Sequence, residues 1–318
     1  MKNLEEAAAV LRGAEQVMIL CHQFPDGDTL GSGSALCRGL RQRGKRAAVR
    51  CSDTIGPKYQ FLFQNLPDDD FEPDLVVAVD VADKALLGEP LLAQYDGKID
   101  LCIDHHGSNL NYAKQSYVDP KAAATCEIIY DLLKFLGIAV DKPIAEALYT
   151  GISTDTGCFK YTNTTPATHR IAADLLETGI NSADIDRAMF DTKSRARLDM
   201  ERRVLDSIGY DCGGKVAVIC ITKQMIAESG AVEDDLDGLA TIPREIEGVR
   251  IGITLREKDD GAYKVSLRAR PPADAAKICE EFGGGGHRGA AGCTLNLPLE
   301  EAKKQILESV GRYLKANV

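Results

Sequence analysis

Asp74-Leu75-Val76-Val77-Ala78-Val79-Asp80 is the stretch whose reading decides the fold. Its interior is apolar without alternation and rich in β-branched residues. That pattern predicts a strand buried on both faces, and such strands belong to parallel sheets covered by helices. Three more runs read as strands: Gln16 to Cys21, Lys45 to Cys51 and Ile99 to Ile103. Helical patterns accompany them. Leu30 to Arg43 stops at Gly44, and Ala123 to Leu136 stops at Gly137; glycine just past a helix is a common terminator. Alternating strands and helices predict an α/β fold whose N-terminal part is a mostly parallel sheet flanked by helices.

The chain has 318 residues, enough for two domains. Residues 1–190 form the first by this reading. Residues 182–208 look helical, polar and charge-rich, and 191–210 serve as a helical linker. Residues 211–318 form a smaller mixed α/β domain, with a cleft expected between the two. Its strand is Lys215 to Thr222. Its hairpin joins Arg250 to Leu255 with Tyr263 to Arg268, across the turn-forming residues Glu257 to Ala262. A helix at Ala273 to Glu281 and an amphipathic helix at Pro298 to Leu314 complete it.

Lys and Arg number 38 against 48 Asp and Glu, for a net charge of −10. The split is uneven: residues 1–194 carry −9 and the remainder −1. An acidic surface repels a nucleic-acid backbone, so a protein that coats long duplex is excluded. The ten cysteines form no CxxC pair and several lie inside apolar runs, as reduced thiols in a cytoplasmic protein do. The N-terminus lacks a basic-then-apolar leader, and no stretch approaches the ~18 apolar residues of a membrane span.

Four clusters of acids and histidines carry the chemistry: His22-Gln-Phe-Pro-Asp26-Gly-Asp28, Asp80, Asp104-His105-His106 and Asp155. Three of them end predicted parallel strands, the edge where active sites of open α/β sheets assemble. The fourth lies on the Pro143 to Asp155 helix, in line with the apolar positions Ile144, Leu148 and Ile152. A carboxylate on a buried stripe is costly unless it is paired or bound to metal. Any one strand-end aspartate reads equally well as a helix cap; four clusters converging on one edge point to cations. Oxygen and imidazole ligands suit Mn²⁺, Mg²⁺, Fe or Zn, and two such ions would polarise a phosphate and supply a hydroxide for in-line attack.

In the second domain, Phe282-Gly283-Gly284-Gly285-Gly286-His287-Arg288-Gly289 has a bland reading as a flexible linker. Against it, the glycine run lacks serine, is followed by a histidine and an arginine, and sits between two predicted elements. Glycines there let backbone N–H groups approach a phosphate or base, and Arg268 can grip a phosphate by two hydrogen bonds. Elsewhere, His169 reads as a surface or structural histidine and Asp53 as a turn residue. Arg244 reads as a residue reaching the cleft or lying in solvent, and Ser32 as a cap on a phosphate-facing helix.

His22-x-x-x-Asp26-Gly-Asp28, Asp80, Asp104-His105-His106 and Thr154-Asp155-Thr156-Gly157 resemble, in order, the motifs of the DHH phosphoesterases. Gly283 to His287, with Ser266-Leu267-Arg268 upstream, resembles the DHHA1 domain that accompanies them. At this length the chain is similar to the oligoribonuclease and pAp-phosphatase (nanoRNase) branch. The resemblance implies that His22, Asp26 and Asp80 hold one metal ion, and that Asp28, Asp80, His105 and Asp155 hold a second. His106 would contact the scissile phosphate, with Asp104 orienting its neighbours. Ser266, Arg268, Gly284, Gly285, Gly286 and His287 would hold the substrate's terminal nucleotide or phosphate. The two ions would be Mn²⁺, with Mg²⁺ or Co²⁺ as alternatives. The implied reaction is hydrolysis of very short RNA or DNA oligonucleotides, such as pApA, to mononucleotides, and of the 3′,5′-bisphosphate nucleotide pAp to AMP. A cyclic-dinucleotide (c-di-AMP) phosphodiesterase is the alternative enzyme. A nucleotide-binding regulator is the alternative without chemistry. A homodimer is open to such a chain, with no interface readable in its sequence.

Overall fold

Leu75–Val79, read above as the deciding strand, is β3 of the computed structural model, which describes residues 1, 3–236 and 238–317. It lies in a five-stranded sheet with β1 (Gln16–Leu20), β2 (Arg46–Arg50), β4 (Leu101–Asp104) and β5 (Gln115–Val118). The order is β2-β1-β3-β4-β5 and every pairing is parallel, with Val17 opposite both Ala47 and Leu75. The chain divides into two units, Met1–Thr192 and Lys193–Val318.

Successive strand residues serve opposite layers, which is why the runs are continuously apolar. Val17, Ile19, Val77, Val79, Leu101 and Ile103 enter one core, together with α1 (Leu4–Gly13), α2 (Gly27–Gln42), α4 (Thr125–Phe135), α5 (Lys142–Asp155) and α6 (Pro166–Glu177). Met18, Leu20, Val76 and Ala78 enter the other, with Leu87 and with Leu91 and Tyr95 of α3 (Glu89–Tyr95).

α2 and α5 pack closely. A methyl group at Gly31 would lie 2.4 Å from the Ala147 carbonyl oxygen, and one at Gly27 2.3 Å from Thr154 Oγ1. The glycines therefore set the helix separation, not the large side chains. α2 begins at Gly27, three residues before the sequence pattern suggested, because Asp26 caps it ahead of the first large apolar residue. The 182–208 stretch is not one helix. It comprises α7 (Ser182–Asp186), a π-helical turn at Arg187–Asp191 and α8 (Arg195–Asp206), the last capped by Ser194.

The second unit is built on a six-stranded mixed sheet, ordered β10-β11-β9-β8-β7-β6. Its strands are β6 (Gly209–Asp211), β7 (Val216–Ile221), β8 (Ile251–Glu257), β9 (Tyr263–Ala269), β10 (Gly285–His287) and β11 (Ala290–Leu295). Only β7 and β8 run parallel. The expected hairpin is β8–β9, with Thr254 opposite Ser266. One face of the sheet buries Ile251, Ile253, Leu255, Val265 and Leu267 in a core that includes residues of α11 (Ala275–Glu280) and α12 (Leu299–Asn317). On the other face Ile219 and Ile221 share a core with Met200 and Val204 of α8. The short helices α9 (Lys223–Ser229) and α10 (Ile242–Glu245) complete the unit. Among the described residues no helix is long and apolar enough to cross a membrane.

Candidate metal centre

All five strands of the first sheet point the same way, so their carboxyl ends share one edge. From β1 the chain crosses to β2 on one side, then returns to β3 on the other. The crevice at such a reversal is where ligands bind in open α/β sheets. His22 follows β1, Asp80 follows β3, and Asp104-His105-His106 ends β4. Asp155 arrives from outside the sheet, on the last residue of α5, because α5 packs so closely on α2.

His22 and His105 are each oriented by a backbone carbonyl. His22 Nδ1 lies 2.8 Å from the Gln23 carbonyl oxygen and His105 Nδ1 lies 3.3 Å from that of Ala122. Donation from Nδ1 leaves Nε2 as the ligand nitrogen, the usual support for a metal-binding imidazole. His22 Nε2 sits 3.7 Å from both Asp26 Oδ1 and Asp80 Oδ2. His105 Nε2 sits 3.3 Å from Asp155 Oδ2, 3.7 Å from Asp80 Oδ1 and 3.9 Å from Asp28 Oδ2. The two oxygens of Asp80 thus face two different donor sets. Asp80 is also held in a left-handed conformation, φ 60°, with its N–H bonded to the Ile103 carbonyl. Strain of this kind at a cluster of polar groups is a mark of a functional site.

The helix-cap reading of these aspartates holds alongside the cluster reading. Asp26 Oδ1 accepts the N–H groups of Asp28 and Thr29 and so caps α2. Asp28 caps a different helix. Its Oδ2 accepts from Thr125 N at 2.6 Å and its Oδ1 from Cys126 N at 2.9 Å, at the start of α4, where Ala124 has no side-chain oxygen to cap the helix. Asp104 is fully buried. Its Oδ1 bonds His106 N and Nδ1, the latter at 2.8 Å, and its Oδ2 accepts from Asn109 Nδ2 at 2.6 Å. His106 is 45% exposed, with Nε2 free of any partner among the described residues.

Crowding sets the electrostatics. Burial, then the charges of Asp80 and Asp155, push the Asp28 carboxyl well above its ordinary range. Burial, then Asp80 and Asp26, raise Asp155 to about 7, and its place at a helix C-terminus adds a further repulsion. Burial works against protonation of His22, but hydrogen bonds to Asp26 and Asp80 outweigh it and lift the imidazole to about 11. Protons or divalent ions would relieve this repulsion among the carboxylates. Three groups of donors lie within 4.8 Å of one another: His22-Asp26-Asp80, Asp28-His105-Asp155 and Asp80-His105-His106. Buried carboxylate oxygens and backbone-oriented imidazoles fit hard or borderline divalent ions.

The remaining sequence candidates lie in the second unit or serve the frame. Ser266 and Arg268 are on β9, Gly285 to His287 form β10, and β11 joins the two strands. Two of the glycines answer to their own sheet. A methyl at Gly284 would lie 2.2 Å from the Gly292 carbonyl oxygen and one at Gly286 2.7 Å from that of Ala290, whereas Gly285 faces open space. His169 stacks on Phe159 at 5.4 Å, a structural role. Asp53 accepts the Phe24 N–H and ties the His22–Asp28 loop to the end of β2. Ser32 does not cap a phosphate-facing helix. It is buried inside α2, where its hydroxyl meets Cys126 Sγ. Two contributors escaped the sequence reading: Thr125, whose hydroxyl donates to Asp80 Oδ1 at 2.9 Å, and Asn109, which holds Asp104. Thr125 lies in a pattern that reads only as a helix, and Asn109 in an unpatterned loop, so neither was marked as serving the site.

Residues 16–152 match the DHH family N-terminal domain and residues 213–316 the DHHA1 domain. Over 98% of this chain and 95% of the relative, the sequence is 36% identical to the bifunctional oligoribonuclease and PAP phosphatase NrnA of Thermus thermophilus. The chain belongs to the DHH family. A DHH-family assignment makes it a member of a group of phosphoesterases. Its fold also matches an exopolyphosphatase-related protein from Bacteroides fragilis, at TM-score 0.84 and 26% identity over 98% of this chain and 97% of that one. The fold is shared, at TM-score 0.58 and 17% identity, with RecJ of Thermus thermophilus, solved in complex with Mn²⁺; the match covers 98% of this chain and 55% of RecJ.

Proposed function

We propose that this protein hydrolyses very short oligonucleotides to mononucleotides and the 3′,5′-bisphosphate nucleotide pAp to AMP, using two divalent metal ions. The observation that carries this reading is Asp80, whose two carboxylate oxygens face separate sets of ligands, one around His22 and one around His105. The 36% identity to a relative bearing both activities in its name supports the choice of substrate.

His22, Asp26 and Asp80 hold one ion; Asp28, Asp80, His105 and Asp155 hold the other. The four carboxylates match the charge of two divalent cations. Manganese is the expected metal, with magnesium or cobalt able to replace it. When bound, such a pair polarises the phosphate and activates a water for in-line attack. The protein's own residues do the rest. Asp104 fixes His106 through Nδ1, which leaves Nε2 to donate to the scissile phosphate or its leaving oxygen. Ser266, Arg268, Gly284, Gly285, Gly286 and His287 hold the far end of the substrate. Residues 1–190 act as the catalytic domain, 211–318 as the substrate-holding domain and 191–210 as their connection. The ten free thiols fit a reducing cytoplasm.

Turnover of pApA, longer oligomers to pentamers, pAp and c-di-AMP in Mn²⁺ tests the assignment side by side. Mononucleotide release from pApA is expected, and Asp80→Ala or His106→Ala variants that keep wild-type rates refute it.

A further inference from the structure

One row of residues runs in register across four strands of the second sheet. Gly252 on β8 lies opposite Arg268 on β9, Arg268 opposite Ala290 on β11, and Ala290 opposite His287 on β10. Residues paired this way project from the same face. Arg268 therefore stands between a glycine and an alanine, with no bulk on either flank.

Gly252 has a second task. A methyl group there would lie 2.8 Å from the backbone nitrogen of Arg244 and 3.0 Å from Pro243 Cβ. The α10 turn thus rests directly on the sheet, beside Arg268. The Arg244 carbonyl accepts a hydrogen bond from the Arg270 guanidinium at 2.7 Å, which pins the turn in place. Burial and, after it, the nearby charge of Arg244 lower the pKa of Arg268. Neither arginine makes an ion pair among the described residues, and the Arg268 guanidinium meets only the Leu267 carbonyl, at 3.2 Å. Two residues along the same face, Thr254 pairs with Ser266, and its buried hydroxyl has no hydrogen-bond partner. Two arginines on one face of the sheet, neither in an ion pair among the described residues and with an unpartnered hydroxyl beside them, make a site for a multiply charged anion.

We propose that Arg244 joins Arg268 in binding a dianionic phosphomonoester, namely the terminal phosphate of the substrate that is not hydrolysed. A phosphomonoester carries about −1.5 to −2 at neutral pH, whereas a backbone diester carries about −1, so a pair of guanidinium groups favours the former. This rests on the hydrolase reading above. It assigns Arg244 a role in specificity: selecting phosphorylated dinucleotides and bisphosphate nucleotides over the same compounds without the terminal phosphate.

The test compares full-length wild type, Arg244→Ala and Arg244→Lys in Mn²⁺ on pApA and ApA. Wild type is expected to prefer pApA. In Arg244→Ala the ratio of kcat/KM values, pApA over ApA, should fall about tenfold or more, through KM for pApA, as for loss of one charged hydrogen bond. Arg244→Lys should recover part of that ratio. A ratio unchanged in Arg244→Ala overturns the proposal, as does an equal loss on both substrates, which a purely structural role would give. Calorimetric binding of AMP against adenosine supplies an independent reading. If wild type hydrolyses neither dinucleotide, the hydrolase reading fails. An AMP-to-adenosine affinity ratio that falls in Arg244→Ala would then still support the clamp, and an unchanged ratio would overturn it.

Discussion

Replacing Gly151 with alanine strikes the contact that brings Asp155 to the sheet edge. A methyl at position 151 would lie 2.2 Å from Cys126 Sγ, 2.9 Å from Asp28 Oδ1 and 3.0 Å from Asp28 Cα. The last of these is backbone, so no rotamer change relieves it. Ordinary carbon contacts are about 3.5–4.0 Å, so α5 must move off α2 by roughly 0.5–1 Å. Overpacking of this kind costs about 1–3 kcal/mol. Alanine in place of glycine inside a helix returns up to ~1 kcal/mol. The net loss, about 0–3 kcal/mol with its centre near 1–2, corresponds at that centre to a fall in Tm of about 2–8 °C for a unit of this size. Activity should suffer more than stability, because the same shift separates Asp28 from Asp155, and a misplacement of about 1 Å can cost about 100-fold in rate. Calorimetric Tm, Mn²⁺ affinity and turnover of pApA measure the three effects. Gly13→Ala is the control, because nothing lies within 4 Å of a methyl there; its Tm should hold or rise. Adding Cys126→Ala to Gly151→Ala removes the sulfur from the clash and should recover part of the loss non-additively. A Gly151→Ala protein with wild-type Tm and turnover would refute the claim that glycine sets this spacing.

Other expectations follow from single contacts. Thr125→Val removes the hydroxyl bond to Asp80 Oδ1 and should weaken Mn²⁺ binding about 10- to 100-fold, as loss of a ligand's supporting hydrogen bond does; unchanged affinity by calorimetry contradicts it. Mn²⁺ at about 100 times its dissociation constant should stabilise the protein by ~2.7 kcal/mol. Chelation should reverse the rise in Tm, and Asp80→Ala should show almost none. Burial raises the Asp186 carboxyl, with Tyr149 opposing and Asp191 adding to the shift. A raised carboxyl is penalised only once ionised, so its stabilising contribution is complete at low pH and is lost as pH rises through its folded-state pKa. Asp186→Asn keeps an acceptor for the Tyr149 hydroxyl and should gain Tm over wild type as pH rises from 4 to 8. A difference that is flat or reversed with pH tells against this sign.

What the sequence made legible was whatever a short segment decides by itself. Leu75–Val79 is apolar throughout because both faces are covered, and that needs no knowledge of the rest of the chain. The strand-end acids and the spacing from Ile152 to Asp155 were equally local. β5 escaped because Gln115–Val118 is a half-exposed edge strand with no apolar run. The cap on α4 escaped for a different reason: its N-terminus begins after Ala124, and the carboxylate that caps it is Asp28, 97 residues earlier. Likewise nothing local distinguishes Gly151 from any other helical glycine, since its need arises where α5 meets α2 and Cys126. Local and long-range contacts together position the candidate ligands. Asp26 and Asp28 spend oxygen lone pairs on backbone N–H groups, Asp80 takes a hydroxyl bond from Thr125, and His22 and His105 lean on carbonyls. Five of the six candidate ligands, Asp155 being the sixth, are therefore also structural joints. Alanine at Asp28 would uncap α4 as well as remove a donor, so a loss of activity there would not separate the two roles. Valine at 125 removes only the hydroxyl bond to Asp80 and keeps the backbone N–H bond to Asp28, which makes that variant the cleaner probe of how orientation, apart from ligand number, sets metal affinity.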